Sequence, residues 1–320
     1  MNYLVTGGAG YLGSHLVREM IGQGHNVTIF DDHSTSIEEF SHDLVTNVNG
    51  SITSKGDLES LFSSNTFHGI CHIAAKKSAS ESLTNRDLYW DVNVNATQNL
   101  LEYCALFQIK NFVFASSAAV YGSTESPEKI NESFETRPES IYGETKLESE
   151  KLISEWSKKF KSKAAVFRLF NLAGCNELGL YDRKGENLVP LLLRTLKTGN
   201  TFNIYGSDLG TPDGTPVRDY IHVQDAARAH LAGMDFLQNV DESYYEIFNI
   251  CSGIGTSVKD VVLKVENFLD REISFVLQDK REGDPGISIG DYTKFQKLTG
   301  WEPLKSVDEM ISSSIFAHFQ

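Results

Sequence analysis

A tyrosine and a lysine stand four positions apart in SIYGETKLESEK (140–151), and a phenol beside an ammonium can move protons. On a 3.6-residue period, Tyr142, Lys146, Ser149 and Ile153 form one stripe of a helix. A free phenol ionises near pH ~10, so acting as a base at neutral pH needs a shift of roughly 3 units, about 4 kcal/mol. One ammonium about 4 Å away, at an effective dielectric constant near ~20, supplies about that much. Taken alone, the stripe also reads as a solvated helix face with a chance aromatic. FASSAAVYG adds a second hydroxyl source, because Ser116 and Ser117 close an apolar run that reads as a strand. Ligands of α/β sheets gather at that strand end, where a serine can pass a proton between a substrate oxygen and Tyr142.

Such a phenol could serve as base for a hydroxyl whose carbon gives up hydride if a hydride acceptor were bound nearby, and the N-terminus offers a place for one. In TGGAGYLGSH, Gly7, Gly10 and Gly13 are spaced by threes, and Gly8, Gly10 and Gly13 fit G-x-G-x-x-G. The run follows an apolar strand and opens an amphipathic helix. That is the context in which backbone can approach a pyrophosphate at a helix N-terminus. Asp31 ends the next strand, where a carboxylate binds both hydroxyls of a ribose and repels a 2′-phosphate. No Lys or Arg lies between Asp31 and Lys55 to offset that repulsion, so NAD is favoured over NADP. Asp57, in KGDL, is placed either to reach an adenine or to cap the helix that begins LESLF.

These residues need a sheet to hold them. NYLVTG, NVTIFDD, GICHIAA, NFVFASS and AAVFRLFN are short apolar runs separated by helical stretches, among them 88–107 and the helix carrying Tyr142. This alternation predicts an α/β fold: a Rossmann-type, doubly wound parallel sheet covered on both faces, with right-handed crossovers. After Asn171 the pattern loosens. Residues 174–186 read as a loop, 187–198 as a helix and 202–205 as a strand, followed by the Gly/Pro/Asp-rich GSDLGTPDGTPVRDY. Residues 223–237 and YEIFNI look like sheet-and-helix material again. The expected organisation is a dinucleotide-binding domain over 1–172, rejoined in part by 219–250, interleaved with a smaller α/β substrate-binding lobe over 173–320.

Composition narrows the partners. The 320 residues are 40% hydrophobic and 22% charged, with a formal net charge of −14, and no dense Lys/Arg run appears. A general nucleic-acid or anionic-membrane surface is therefore not expected. Cys71, Cys104, Cys175 and Cys251 are widely spaced among apolar residues, as buried free thiols in a reducing compartment would be. No apolar run approaches ~18 residues and no basic-then-apolar leader opens the chain, so a cytoplasmic protein is expected. The nine histidines form no cluster, His222 and His230 included, and no metal is expected.

Taken together and in order, TGGAGYLGSH, HIAAKKSASES, SSAAVYG, YGETK, RLFNLAG, DGTPVRDYIHVQD and REGD resemble the extended short-chain dehydrogenase/reductase family. The resemblance runs over essentially the whole chain and is strongest to the family's UDP-glucose 4-epimerase (UDP-galactose 4-epimerase) branch. It implies tightly bound NAD and a UDP-sugar substrate. It implies that Tyr142 is the base, that Lys146 binds the nicotinamide ribose and lowers the tyrosine pKa, and that Ser117 relays a proton. Cofactor contacts implied in the same way are Gly7, Gly10, Tyr11, Leu12, Gly13, Asp31, Asp57, Leu58, Ala74, Ala75, Lys77, Asn93 and Phe170. Ala96 replaces a glycine usual in the family. Nucleotide-sugar contacts fall on Asn171, Asn187, Leu188, Asn203, Tyr205, Arg218, Arg281, Asp284 and Ser288, with the two arginines suited to clamp phosphates.

The implied reaction is loss of hydride from carbon 4 of a UDP-hexose and its return to the opposite face of a 4-keto sugar. Sister 4,6-dehydratases carry an Asp-Glu pair after the strand hydroxyl; Ala118 and Ala119 stand here. Ser288 aligns with a gate position where a small residue leaves room for an N-acetyl group, so UDP-N-acetylhexosamines are a further expected substrate. A net oxidoreductase and a non-catalytic NAD sensor are the rival readings. The resemblance also implies a homodimer formed through the helices near 88–107 and 142–160.

Overall fold

The computed structural model describes residues 1–34, 40–123, 128–176, 180–182, 187–280 and 286–319. Arg281 and Asp284, named above for the substrate, lie outside the described residues. The first half runs β1 (Asn2–Thr6), α1 (Tyr11–Gly22), β2 (Asn26–Asp31), β3 (Val45–Asn49), α2 (Lys55–Ser64), β4 (Gly69–His72), α3 (Ala79–Ser82) and α4 (Arg86–Trp90). A π-turn (Asp91–Asn95) joins α4 to α5 (Ala96–Leu106), so the stretch expected as one helix is broken by a bulge. Next come β5 (Asn111–Ser117), a 3₁₀ turn (Ala118–Val120), α6 (Ile141–Phe160), β6 (Lys163–Leu169) and β7 (Asn171–Ala173). The second half comprises α7 (Leu188–Thr198), β8 (Phe202–Tyr205), β9 (Val217–His222), α8 (Val223–Gln238), β10 (Tyr244–Ile250) and β11 (Gly255–Ser257). It ends with α9 (Val258–Leu269), β12 (Phe275–Gln278), β13 (Ile287–Ser288), α10 (Thr293–Thr299) and α11 (Val307–Phe319).

Seven strands form one sheet in the order β10-β6-β5-β4-β1-β2-β3, and each neighbouring pair is parallel. The chain moves outward from β1 through β2 and β3, then returns to the other side of β1 with β4. That reversal opens a crevice at the carboxyl ends of β1 and β4, where this architecture binds nucleotides. Side chains alternate across the sheet. Tyr3 and Val5 pack with α1, α8 and α10, while Leu4 packs with α2, α5 and α6. Fully buried members such as Leu16, Phe30, Phe112 and Phe167 each contribute roughly 1.5–3 kcal/mol.

Beyond this sheet, β9 pairs with β7, β11 and β13, and β8 pairs with β12 in a separate parallel ribbon. Leu192, Leu193, Ile204, Val262 and Ile311 fill the core beneath them. VRDYIH, read from sequence as part of a Gly/Pro/Asp-rich connection, is thus the central strand of the second sheet. All four cysteines are buried, and none forms a disulfide. Among the described residues, no helix is long and apolar enough to cross a membrane.

Candidate active site

Ser140 starts α6 by accepting the Gly143 amide at 3.1 Å, which places Tyr142 in the first turn. Gly143 explains itself by contact: an added Cβ would lie 2.7 Å from the Ala119 carbonyl oxygen and 3.0 Å from Pro138. The helix therefore rests directly on the turn that follows β5. Close approach brings the Tyr142 phenol near Ser117, whose hydroxyl acts to lower the phenol pKa. Alternation along β5 divides the two serines. Ser117 is half-exposed and caps the 3₁₀ turn through Ala119 N, whereas Ser116 is buried and donates to Glu150 at 2.5 Å. Ser117 is the hydroxyl that faces the tyrosine.

One turn along α6, Lys146 is 3% exposed; its Nζ donates to Ala115 O at 2.8 Å and lies 4.7 Å over the Phe114 ring. Burial drags its pKa down to about 7, opposed by the charge of Glu150. Burial raises the Tyr142 phenol, and the Ser117 hydroxyl is what opposes that rise. The Lys146 ammonium turns toward the β5 backbone.

The glycine turn lies at the β1/β4 crevice. Gly7 has φ +70°, and an added Cβ there would sit 2.7 Å from Ala74 N; one on Gly13 would sit 2.1 Å from Gly7 O. Above Gly10 there is room, since an added Cβ would meet Gly7 O at 3.3 Å and nothing else described within 4 Å. No side chain caps α1. Asp31 Oδ2 accepts Ala9 N at 3.0 Å and Oδ1 accepts His33 N at 2.9 Å, which fixes a carboxylate beside the turn. An open helix N-terminus, a floor that tolerates no side chain and an anchored carboxylate fit the pyrophosphate and ribose of NAD.

The other expected cofactor positions divide by what their side chains do. Tyr11 donates its hydroxyl to Gly174 O, joining the first helix to the loop after β7. Leu12 and Leu58 are core residues at 6% and 0% exposure, leaving backbone to face a ligand. Asp57 does not cap α2. Ser54 does, and Asp57 Oδ2 accepts Ser51 N at 2.9 Å. Ala74 and Ala75 are half-buried after β4, and Ala74 N donates to Thr6 O at 3.0 Å. Asn93, in the π-turn, clasps Lys76 N and O at 2.9 and 3.0 Å and Thr145 Oγ1 at 3.0 Å. It pins the Lys77 loop to the catalytic helix. Lys77 Nζ pairs with Asp182 at 3.0 Å, and Phe170 is buried beside Tyr121 and Cys251.

Residues expected on the sugar side sit mainly around β9. Asn171 Nδ2 donates to Asp219 O at 3.1 Å, and Arg218 is in register with Ser288 across the β9–β13 pair. Asn187 donates to Asp182 at 2.9 Å just before Leu188 opens α7. Asn203 and Tyr205 lie on β8, where Asn203 accepts Gln278 at 3.1 Å.

Residues 3–251 match the NAD dependent epimerase/dehydratase family. The chain belongs to that family. Over 97% of its length it is 36% identical to the bifunctional UDP-glucose 4-epimerase and UDP-xylose 4-epimerase 3 of Arabidopsis thaliana, covering 93% of that protein. A solved UDP-glucose 4-epimerase superposes with a TM-score of 0.94 at 33% identity, covering all of this chain and 98% of that one. The Bifidobacterium longum UDP-glucose 4-epimerase, solved with NAD+ and UDP, gives 0.91 at 29% identity over 100% and 98% of the two chains.

Three features of this family member escaped the sequence reading. Glu150 and Arg168 form a buried ion pair at 2.7 Å behind Lys146. Asp182, 4% exposed, is shared by Lys77 and Asn187. Asp219 accepts from Ser252, Gly253 and Gly290, tying β13 to β9, and burial lifts its pKa to about 6. A charge within the buried run AAVFRLFN was the available signal for the first.

Proposed function

We propose that this family member is an NAD-dependent 4-epimerase of UDP-hexoses, interconverting UDP-glucose and UDP-galactose. The observation that carries the reading is the close packing of the first turn of α6, which bears Tyr142, on the turn capped by Ser117 at the carboxyl edge of the sheet, with Lys146 buried one turn away. When bound, NAD supplies a reversible hydride acceptor and a positive ring charge. Gly10 leaves room for its pyrophosphate on a turn that Gly7 and Gly13 let pack tightly, and Asp31 takes its ribose hydroxyls.

Tyr142 removes the proton of the sugar 4-hydroxyl, directly or through Ser117, and later returns it to the 4-keto sugar after that sugar has turned in the pocket. Lys146 keeps two N–H groups beyond its bond to Ala115 for a ribose hydroxyl. Ala118 and Ala119 provide no acid or base for elimination, which favours return over dehydration. Arg218, Arg281 and Asn187 serve the nucleotide phosphates, while Asn171, Leu188, Asn203, Tyr205 and Asp284 complete the nucleotide-sugar pocket. On this reading the seven-stranded unit holds NAD and the smaller sheets hold the UDP-sugar.

Ser288, in register with Arg218, supports a second substrate class. Its small side chain leaves space for the acetamido group of a UDP-N-acetylhexosamine. Exposed Leu88, Leu106, Phe107 and Phe160 on α4–α6 and their ends support a homodimer packed through those helices. Buried cysteines that form no disulfide support work in the cytoplasm.

The test is conversion of UDP-galactose to UDP-glucose by purified protein, followed by a coupled assay. Turnover is expected without net reduction of added NAD, and Tyr142→Phe is expected to slow it by about 10²–10⁴-fold. Stoichiometric formation of reduced NAD would instead mark a net oxidoreductase, and absence of turnover with NAD retained would mark a sensor.

A further inference from the structure

Glu150 lies four residues beyond Lys146 on α6, is 2% exposed, and its carboxylate is fully engaged. Oε1 accepts the Ser116 hydroxyl at 2.5 Å and Arg168 Nε at 3.1 Å; Oε2 accepts Arg168 Nη2 at 2.7 Å. Arg168 is itself 3% exposed on β6 and stacks 4.7 Å over the Tyr121 ring. Inside a protein such a pair adds little net stability, because stripping water from both ions costs about what their attraction returns. Apolar residues of similar volume would fill the gap between α6 and the sheet as well. The position of the pair suggests what it is for: Glu150 is one turn from Lys146, and Ser116 is the residue before Ser117.

Resting on the function proposed above, we infer that Glu150 is a positioning residue of the reaction. It favours the ammonium form of Lys146 and, through Ser116, fixes the end of β5 so that Ser117 meets Tyr142. The titratable groups around Lys146 and Glu150 are Tyr142 on the same helix, His72 on β4, which interacts with Lys146, and Arg168 on β6 and Tyr245 on β10, which bond Glu150. Burial holds His72 neutral, with a pKa of about 3, and raises both phenols. The charge of Arg168 is matched by its two-pronged pairing. Among the described residues, the negative charge acting on Lys146 is therefore that of Glu150. Without it, burial would lower the Lys146 pKa further.

Glu150→Gln alone strands a buried guanidinium and is expected to destabilise the fold. The experiment therefore uses Glu150→Gln/Arg168→Met, which removes both charges together. The first readout is the titration of the Lys146 Cε resonance in ¹³C-lysine-labelled protein, assigned by its absence from Lys146→Met. Its midpoint is expected to fall by about one pH unit in the double variant. The second is the pH profile of kcat on UDP-galactose, whose alkaline fall is expected to move to lower pH by the same amount. An unmoved Lys146 midpoint, or a rate loss uniform across pH, overturns the electrostatic role.

Ser116→Ala leaves the ion pair intact and tests positioning even if the double variant does not fold. It is expected to lower kcat about tenfold with the Lys146 midpoint unchanged; unaltered kcat overturns that role. Wild-type protein that turns over neither UDP-galactose nor UDP-N-acetylgalactosamine refutes the proposed function instead, and the resonance titration still decides the inference.

Discussion

Gly143→Ala separates two views of α6. If the helix were a solvated face, the change would be benign, since alanine is favoured over glycine in a helix interior by about 1 kcal/mol. The packing says otherwise. The new Cβ would lie 2.7 Å from the Ala119 carbonyl oxygen and 3.0 Å from Pro138 Cβ, against ordinary contacts of about 3.5 Å. Relief requires the first turn of α6 to move off the 3₁₀ turn by roughly 0.5–1 Å, because the obstruction is backbone and cannot rotate away. Tyr142 rides on that turn and Ser117 caps the turn it leaves. A displacement of this size at a proton-transfer contact costs about 10–100-fold in rate. Overpacking costs about 1–3 kcal/mol, partly offset by helix propensity. The assay is kcat on UDP-galactose together with a urea midpoint. A more stable variant with unchanged kcat would refute the close-approach argument and return α6 to the solvated reading.

Ser288→Tyr is expected to abolish turnover of UDP-N-acetylgalactosamine while sparing UDP-galactose, measured as the ratio of the two rates. Asp31→Asn keeps the acceptor for Ala9 N but removes the charge. NAD retention through gel filtration should weaken by about 10–100-fold in Kd, and discrimination against NADP should shrink. Buried His72, His222 and His230 have pKa values lowered to about 3, 4 and 4 by burial. Between about pH 4 and about pH 6.5 the unfolded chain binds more protons, so stability falls as pH falls through that window. Each histidine contributes up to about 1.4 kcal/mol per pH unit, and His230→Leu should flatten the slope of urea midpoint against pH. A slope equal to that of the wild type would mean His230 binds its proton as readily in the fold as in the unfolded chain.

What was legible in the chain was what local geometry expresses. The glycine turn and Asp31 belong to one strand–helix–strand unit, so their spacing along the chain carries their spacing in space. The i, i+4 relation of Tyr142 to Lys146 and the strand-end place of Ser117 are local in the same way. Pairings between distant short strands were not legible. Asn171 meets Tyr220, and Ser288 meets Arg218, through strands of three and two residues that carry no period of their own. Nor could residue type decide between Ser54 and Asp57 as the cap of α2, since both are good caps within one turn.

The least legible part was the buried face of α6, because it is polar. Hydrophobic periodicity assigns Thr145, Lys146, Ser149 and Glu150 to solvent, yet each is at most 3% exposed. They face inward because each finds a fixed partner: Thr145 and Ser149 bond Asn93, Lys146 bonds Ala115, and Glu150 bonds Ser116 and Arg168. Four such residues on one face pack with less apolar gain than four leucines would, so stability alone does not account for them. A helix that breaks its own pattern where it carries Tyr142 is the expected signature of a surface shaped by chemistry, since local rules fail first where charge must be held in place. The direction of the Lys146 ammonium, toward the β5 backbone, is invisible from spacing for the same reason.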